Sequence, residues 1–311
     1  MSGKFYTAEL TLVKRSKLGL IEPSTIPALN LVDKSMPEGL KWFFKHYPQE
    51  EHLEKLPFHN GDYITEPYKA SLFAGRMPSF GFYSRMAAIV FRASYLAKRG
   101  RYGNRGWSES SLAVMKALEH IGVVFEVTGA DHFINLEAPC VFIGNHMSAL
   151  ETFVLPCIIE PFKDVTFVVK QSLIDYPVFR HVMRSRDPII VSRTNPREDL
   201  RAVLEGGLKR LNAGRSVIIF PQTTRTPVFD PAEFNTIGIK LAKKAGVPVI
   251  PIALKTHAWG NGKHLKDFGG IDPSKKVYFA FGEPLVVRGN GAAEHQKIIE
   301  FISSSLKAWN A

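Results

Sequence analysis

From Ser108 onward, short apolar runs alternate with amphipathic stretches, and this alternation constrains the fold more than any other feature. The runs Val123–Thr128, Cys140–Gly144, Val165–Lys170, Ile189–Ser192, Val217–Phe220, Val249–Leu254 and Val277–Phe281 read as strands. Between them, Ser111–Ile121, Ser148–Ile158, Ser172–Met183, Pro231–Lys244 and Ala293–Ala308 read as helices. A further helix starts at the cap Asn195, with Pro196 in its first position, and runs to about Leu211 before Gly214 stops it. Apolar strands alternating with amphipathic helices predict an α/β fold: a central, mainly parallel (mixed) sheet flanked by helices. There is no internal repeat and no low-complexity tract.

The 311 residues favour one core with a terminal extension. The first 65 or so are punctuated by Pro23, Pro27, Pro37, Pro48 and Pro57, and only Glu38–Lys45 reads as a short helix. The expected division is an N-terminal extension over 1–107, irregular and then amphipathic-helical, followed by an α/β domain over 108–311. Apolar residues at 45% and charged residues at 22% exclude a mostly disordered, collagen-like or coiled-coil chain. Two cysteines exclude a disulfide scaffold or a Cys-rich zinc site; Cys140 and Cys157 both sit in apolar runs and are expected as reduced core residues. The longest stretch free of Asp, Glu, Lys and Arg is Ala138–Leu150, 13 residues, short of the roughly 20 that a spanning helix needs. The N-terminus carries no apolar signal segment.

The net charge of +11 points to an anionic partner. Between Glu66 and Glu109 there is no acid but eight basic residues: Lys69, Arg76, Arg85, Arg92, Lys98, Arg99, Arg101 and Arg105. Inside this segment Tyr83, Met86, Ile89, Val90, Ala93, Leu96 and Ala97 recur at helical spacing, while Arg85, Arg92 and Arg99 share another face. Residues from about 80 to 99 therefore form a basic amphipathic helix, ended by Gly100, Gly103 and Gly106. Such a helix either lies in an anionic membrane interface or packs on the core with solvated arginines. Nucleic acid is not expected as partner, because no helix-turn-helix, zinc or RNA-binding signature accompanies the charge.

Several chemically capable residues fall at strand ends, where ligand sites of open α/β sheets lie. Val141-Phe142-Ile143-Gly144 runs into Asn145-His146, with Glu151 in the first turn of the next helix. A carboxylate folded back on one imidazole nitrogen would leave the other as a general base. Ser148-x-x-Glu151 is equally a capping box, in which Glu151 would be structural. Phe220-Pro221-Gln222-Thr223-Thr224-Arg225 follows another strand; its hydroxyls and arginine suit a phosphate or carboxylate, though an exposed loop would look the same. Lys170 and Arg193 close two further strands. Parallel strands would bring His146, Lys170, Arg193 and Arg225 to one edge as an anion-binding cleft.

The order of these blocks resembles the glycerophosphate and lysophospholipid acyltransferase family, of the 1-acylglycerol-3-phosphate acyltransferase type. Asn145-His146, four residues and Glu151 match its first motif; Lys170, Pro177 and Arg193 its second; Phe220 to Arg225 its third; Val247-Pro248-Val249-Ile250-Pro251 its fourth. The resemblance spans about Leu118 to Leu285. The chain differs in Glu151 for a usual Asp, Gln222-Thr223 for Glu-Gly, Arg180 for a Gly, and Ile237 for a Lys before Gly238.

The resemblance implies an O-acyltransferase of phospholipid biosynthesis. A fatty acyl group would pass from acyl-CoA or acyl-carrier protein to a hydroxyl of a lysophosphatidic acid-like lysolipid. His146, Glu151 and Lys170 would be catalytic; Asn145, Arg193, Gln222, Thr223, Thr224 and Arg225 would bind substrate. No cofactor or metal is implied, since the thioester is itself the donor substrate. The expected location is cytoplasmic, peripheral on the inner face of a membrane, with no transmembrane segment. The alternatives are another acceptor (a lysophospholipid with a head group, an ornithine-type lipid or a lipid A precursor) or a non-catalytic membrane lipid-binding protein.

Overall fold

The computed structural model describes residues 55–66, 77–222, 224–262 and 267–311, all within the unit Glu50–Ala311. The helix expected over Glu38–Lys45 lies outside them. The strands are β1 (Tyr63–Ile64), β2 (Phe125–Thr128), β3 (Val141–Gly144), β4 (Val165–Lys170), β5 (Ile189–Val191), β6 (Ser216–Ile219), β7 (Val249–Lys255) and β8 (Val277–Phe281). They pair in the order β1-β2-β8-β7-β3-β6-β4-β5. From β7 through β3, β6 and β4 to β5 every pairing is parallel, as is β2 with β8; β7 pairs antiparallel with β8, and β1 with β2. The sheet is thus mixed and mainly parallel, as the alternation predicted. The C-terminal ends of β7, β3, β6, β4 and β5 share one edge. The short strand β1 has no counterpart in the sequence pattern; it adds to the opposite end of the sheet.

The helices are α1 (Pro78–Lys98), α2 (Asn104–His120), α3 (Asp131–Ile134), α4 (Leu150–Ile159), α5 (Gln171–Asp175), α6 (Phe179–Ser185), α7 (Pro196–Asn212), α8 (Ile237–Ala245) and α9 (Ala292–Ala308). Every residue of β3 is buried, because β3 lies between β6 and β7 with both faces covered. Val141 and Ile143 pack on one face with Val203 and Leu211 of α7, Ile239 of α8 and Ile298 of α9. Phe142 turns to the other face, against Phe133 and Phe281. Burying each such side chain stabilises the fold by roughly 1.5–3 kcal/mol. At Gly238 in α8 a Cβ would stand 2.5 Å from Ile143 Cδ1, so glycine lets this helix approach the strand that leads to His146.

Local chemistry accounts for the element ends. Asn195 Oδ1 accepts from the amides of Arg197 (3.1 Å) and Glu198 (3.4 Å), and Pro196 opens α7 as expected. Two expected helices are broken. Ser172–Met183 divides into α5 and α6, because Tyr176 is extended before Pro177 and Val178 takes a φ of 71°. Pro231–Lys244 divides into a single 3-10 turn at Pro231–Glu233, capped by Asp230, and α8, whose first amide donates to Asn235 Oδ1 at 2.9 Å. The expected Ser111–Ile121 helix starts earlier, at Asn104, so Gly106 lies inside α2 instead of ending α1.

The basic amphipathic helix is α1, and its apolar face is turned inward. Phe82, Met86, Ile89, Ala93 and Leu96 are buried. Ser94 Oγ donates to Val178 O at 2.7 Å, joining α1 to the start of α6. The expected membrane face is therefore occupied by the protein's own core. The outward side instead carries Phe80, Ala87, Phe91 and Lys98, with Arg85 exposed on a different flank of the helix. Phe80 is 61% and Phe91 51% exposed. Among the described residues, no helix is long and apolar enough to cross a membrane.

Candidate active site

Strand β3 ends in the turn Asn145–Ala149 that leads into α4. Asn145 is buried and its amide is committed on both sides: Oδ1 accepts from Leu254 N (2.9 Å) and Nδ2 donates to Leu254 O (2.8 Å). It staples β3 to β7, where a substrate contact was expected. His146 follows. Its amide donates to Gln222 Oε1 at 2.7 Å, and its carbonyl accepts from Thr226 N at 3.0 Å. The turn after β6 thus grips the His146 backbone from both sides. The imidazole stacks on Phe220, centroids 4.5 Å apart and planes within 4°. Gln222 is 4% exposed, so its carbonyl serves the histidine backbone.

Glu151 is fully buried. Its Oε1 accepts from the amides of Met147 (2.6 Å) and Ser148 (3.0 Å), and lies 3.8 Å from His146 Nδ1, beyond hydrogen-bond length but within ion-pair range. Burial opposes its ionisation; His146 and the two amides outweigh burial and hold the carboxyl below its ordinary value. The two sequence readings therefore coexist: Glu151 closes the turn and also faces the imidazole with negative charge. Ser148 is not the cap residue itself, a position held by Ala149, yet its Oγ accepts from Leu150 N at 3.1 Å. Ser148 Oγ also bonds Thr256 at the end of β7, and Asn261 Nδ2 donates to Met147 O at 3.0 Å. Thr256 and Asn261 escaped the sequence reading. Thr256 carried a usable signal, a polar residue directly after an apolar strand on the same edge.

The cations lie along the same edge. Lys170 is exposed at the end of β4, extended and immediately ahead of α5. Arg193 follows β5 with a φ of 61°, and Asp199 in the first turn of α7 holds that backbone by accepting from Ser192 N (2.7 Å) and Arg193 N (2.8 Å). Burial, then the charge of Arg225, pulls the Arg193 guanidinium below its ordinary value. Arg225 Nη2 pairs with Asp267 Oδ1 at 2.5 Å. Thr224 is exposed beside it, and Thr223 lies outside the described residues. The structure brings His146, Glu151 and Gln222 together, while Lys170, Arg193 and Arg225 follow β4, β5 and β6 along the same edge. Asp267 had no sequence signal at all, standing between β7 and β8 far from the matched motifs.

The geometry offers a histidine fixed in orientation and backed by a carboxylate, beside a pair of arginines suited to an anion. Residues 124–255 match the family described as Acyltransferase. A 1-acyl-sn-glycerol-3-phosphate acyltransferase of Pseudomonas aeruginosa is 33% identical over 165 residues, 53% of this chain and 60% of that protein. A Borreliella burgdorferi protein of the same name is 30% identical over 139 residues, 43% of this chain and 52% of its own length. The alignments thus span little more than half of these relatives. Among solved structures, the 1-acyl-sn-glycerophosphate (LPA) acyltransferase PlsC of Thermotoga maritima superposes with a TM-score of 0.55 over 77% of this chain and 97% of that one, at 21% identity, a likeness of fold.

Proposed function

Taking residues 124–255 as a domain of the acyltransferase family, we propose that this protein is an O-acyltransferase acting on a lysophosphatidic acid-like acceptor. The donor is a fatty acyl thioester, acyl-CoA or acyl-carrier protein. The observation that carries the reading is the fixation of His146: backbone gripped by Gln222 and Thr226, ring stacked on Phe220, Nδ1 facing Glu151.

His146 accepts the proton of the acceptor hydroxyl at Nε2 while Glu151 stabilises the imidazolium from the Nδ1 side. The hydroxyl oxygen attacks the thioester carbonyl, forming the new C–O bond. The tetrahedral intermediate places its charge on the former carbonyl oxygen, which Lys170 offsets. Collapse breaks the C–S bond, and the leaving thiolate takes the proton back from His146. No acyl-enzyme is required, since holding hydroxyl and thioester together removes much of the entropic barrier. Arg193 and Arg225, with the Thr224 hydroxyl, hold the acceptor's phosphate. Membrane access runs through the outward side of α1, where Phe80 and Phe91 stand on one side with Lys98; shallow apolar insertion plus basic charge gives reversible binding to anionic lipid.

The test is release of free thiol and formation of a diacyl product from palmitoyl-CoA or palmitoyl-carrier protein and 1-acylglycerol-3-phosphate, beside a panel of other lysolipids. The expected result is turnover that falls by about 10²- to 10⁴-fold in His146→Ala. Equal turnover in that variant would remove the assigned base. Binding to anionic vesicles with no turnover on any donor or acceptor would replace the enzyme reading with lipid binding.

A further inference from the structure

Arg225 is one of the two arginines that the proposed reading assigns to the acceptor's phosphate, and it already has a partner. Asp267 Oδ1 lies 2.5 Å from Nη2, with the arginine side chain 20% and the aspartate 37% exposed. Nη1 of the same guanidinium is buried and makes no hydrogen bond among the described residues, so Asp267 is the charged partner that the structure gives this side chain. The pair is neither a free surface contact nor sealed in the core. It is partly open to solvent, so a ligand oxygen that reached Arg225 would meet the Asp267 carboxylate beside it.

The aspartate is delivered by a braced segment. Trp259 Nε1 donates to Asp267 O at 3.2 Å, and Trp259 packs edge-on to Phe82 and stacks on Phe153. Gly260 N donates to Gly270 O at 2.9 Å. Tyr83 Oη donates to Gly269 O at 2.6 Å, and Ile271 N to Ser79 Oγ at 3.0 Å, both tying the segment to α1. The backbone of Asp267 is therefore held, and its carboxylate is aimed at Arg225 by the surrounding structure.

Two arginines alone would carry a charge of +2, matched to a dianionic phosphomonoester. Asp267 removes one unit of that charge, beyond the Asp199 carboxylate already beside Arg193, and so favours a singly charged phosphate ester over a dianion. Resting on the proposed acceptor site, we propose that Asp267 is a specificity-determining residue that competes with the acceptor's phosphate for Arg225 and penalises phosphomonoesters more than phosphodiesters. To seat a phosphomonoester on both arginines, the Asp267–Arg225 pair must part or tolerate a like charge beside it. A phosphodiester acceptor, with one negative charge fewer, meets less repulsion.

The test compares wild type with Asp267→Asn, which keeps the shape and removes the charge. Substrates are 1-acylglycerol-3-phosphate, a lysophosphatidylglycerol and an uncharged monoacylglycerol. In the variant, KM for the phosphomonoester is expected to fall about three- to tenfold, with a smaller fall for the phosphodiester, none for the neutral acceptor, and kcat moving far less than KM. An unchanged or raised KM for the phosphomonoester overturns the proposal, because Asp267 would then only brace Arg225. A second measurement does not depend on turnover. Titration with inorganic phosphate, followed by thermal shift, should show tighter binding in Asp267→Asn than in wild type; equal or weaker binding overturns the proposal. If wild type turns over no lysolipid, the acyltransferase reading fails, while the phosphate titration still decides the role of Asp267.

Discussion

At the scale of single residues, the candidate site depends on groups that hold a histidine in place. Gln222 accepts the His146 amide in a buried turn. Gln222→Leu leaves that donor without a partner, at about 1–3 kcal/mol. The expected outcome is a lower Tm and reduced turnover. Gln222→Glu keeps an acceptor there and should recover most of the Tm. Glu151 makes the site sensitive to acid. Its folded pKa lies below the ordinary 4.5, so the folded state binds fewer protons than the unfolded one as the carboxyl titrates. The stability it contributes is complete above the unfolded value and is lost as pH falls through the folded one. Urea midpoints measured from about pH 6 down to about pH 3 should fall less steeply in Glu151→Gln than in wild type.

At the scale of elements, the end of α4 holds the opposite case. Glu160 is 9% exposed, and its Oε2 accepts from Val165 N at 3.0 Å, at the entry to β4. Burial, then the nearby Asp164 charge, pushes its carboxyl up to about 8. Here the folded state binds more protons than the unfolded one, so this group lowers stability as pH rises from the ordinary carboxylate value to about 8. Glu160→Gln keeps an acceptor for Val165 and removes the titration. The variant should melt above wild type near pH ~9 and close to it near pH ~5, as read by thermal denaturation. The contact of α8 with β3 gives a second element-scale expectation. In Gly238→Ala, the new methyl meets Ile143 at 2.5 Å, and overpacking of this kind costs about 1–3 kcal/mol, read as a lower denaturation midpoint.

At the scale of the whole molecule, α1 has two sides with different duties. Its inner side is core. Ile89→Ala should therefore destabilise the protein by about 2–5 kcal/mol. Its outer side carries Phe80 and Phe91, each more than half exposed, on the same side as Lys98. Phe80→Ser with Phe91→Ser should leave the Tm close to wild type and weaken sedimentation with anionic vesicles, while added salt should weaken wild-type binding through the basic share. Vesicle binding unaffected by both changes would remove α1 from the proposed docking surface.

The sequence alone determined the class of sheet, most of its strands, and which residues stand at strand ends. Those properties follow from local rules: an apolar run between turn residues must bury its backbone in a sheet, and a parallel sheet collects its strand ends on one edge. The Asn195 cap and the position of His146 were legible for the same reason. The division of α5 from α6 at Pro177 was legible in principle, since the residue before proline resists helix. Only the tertiary structure decided what the polar side chains do with their hydrogen bonds. Asn145 spends both on Leu254, Gln222 turns to His146, and the apolar face of α1 turns inward because α2 and α6 stand there to cover it. The pairing of Asp267 with Arg225 belongs wholly to that level. A charge chooses among all charges within reach, and reach across a cleft is set by the packing of distant elements, which no local spacing encodes.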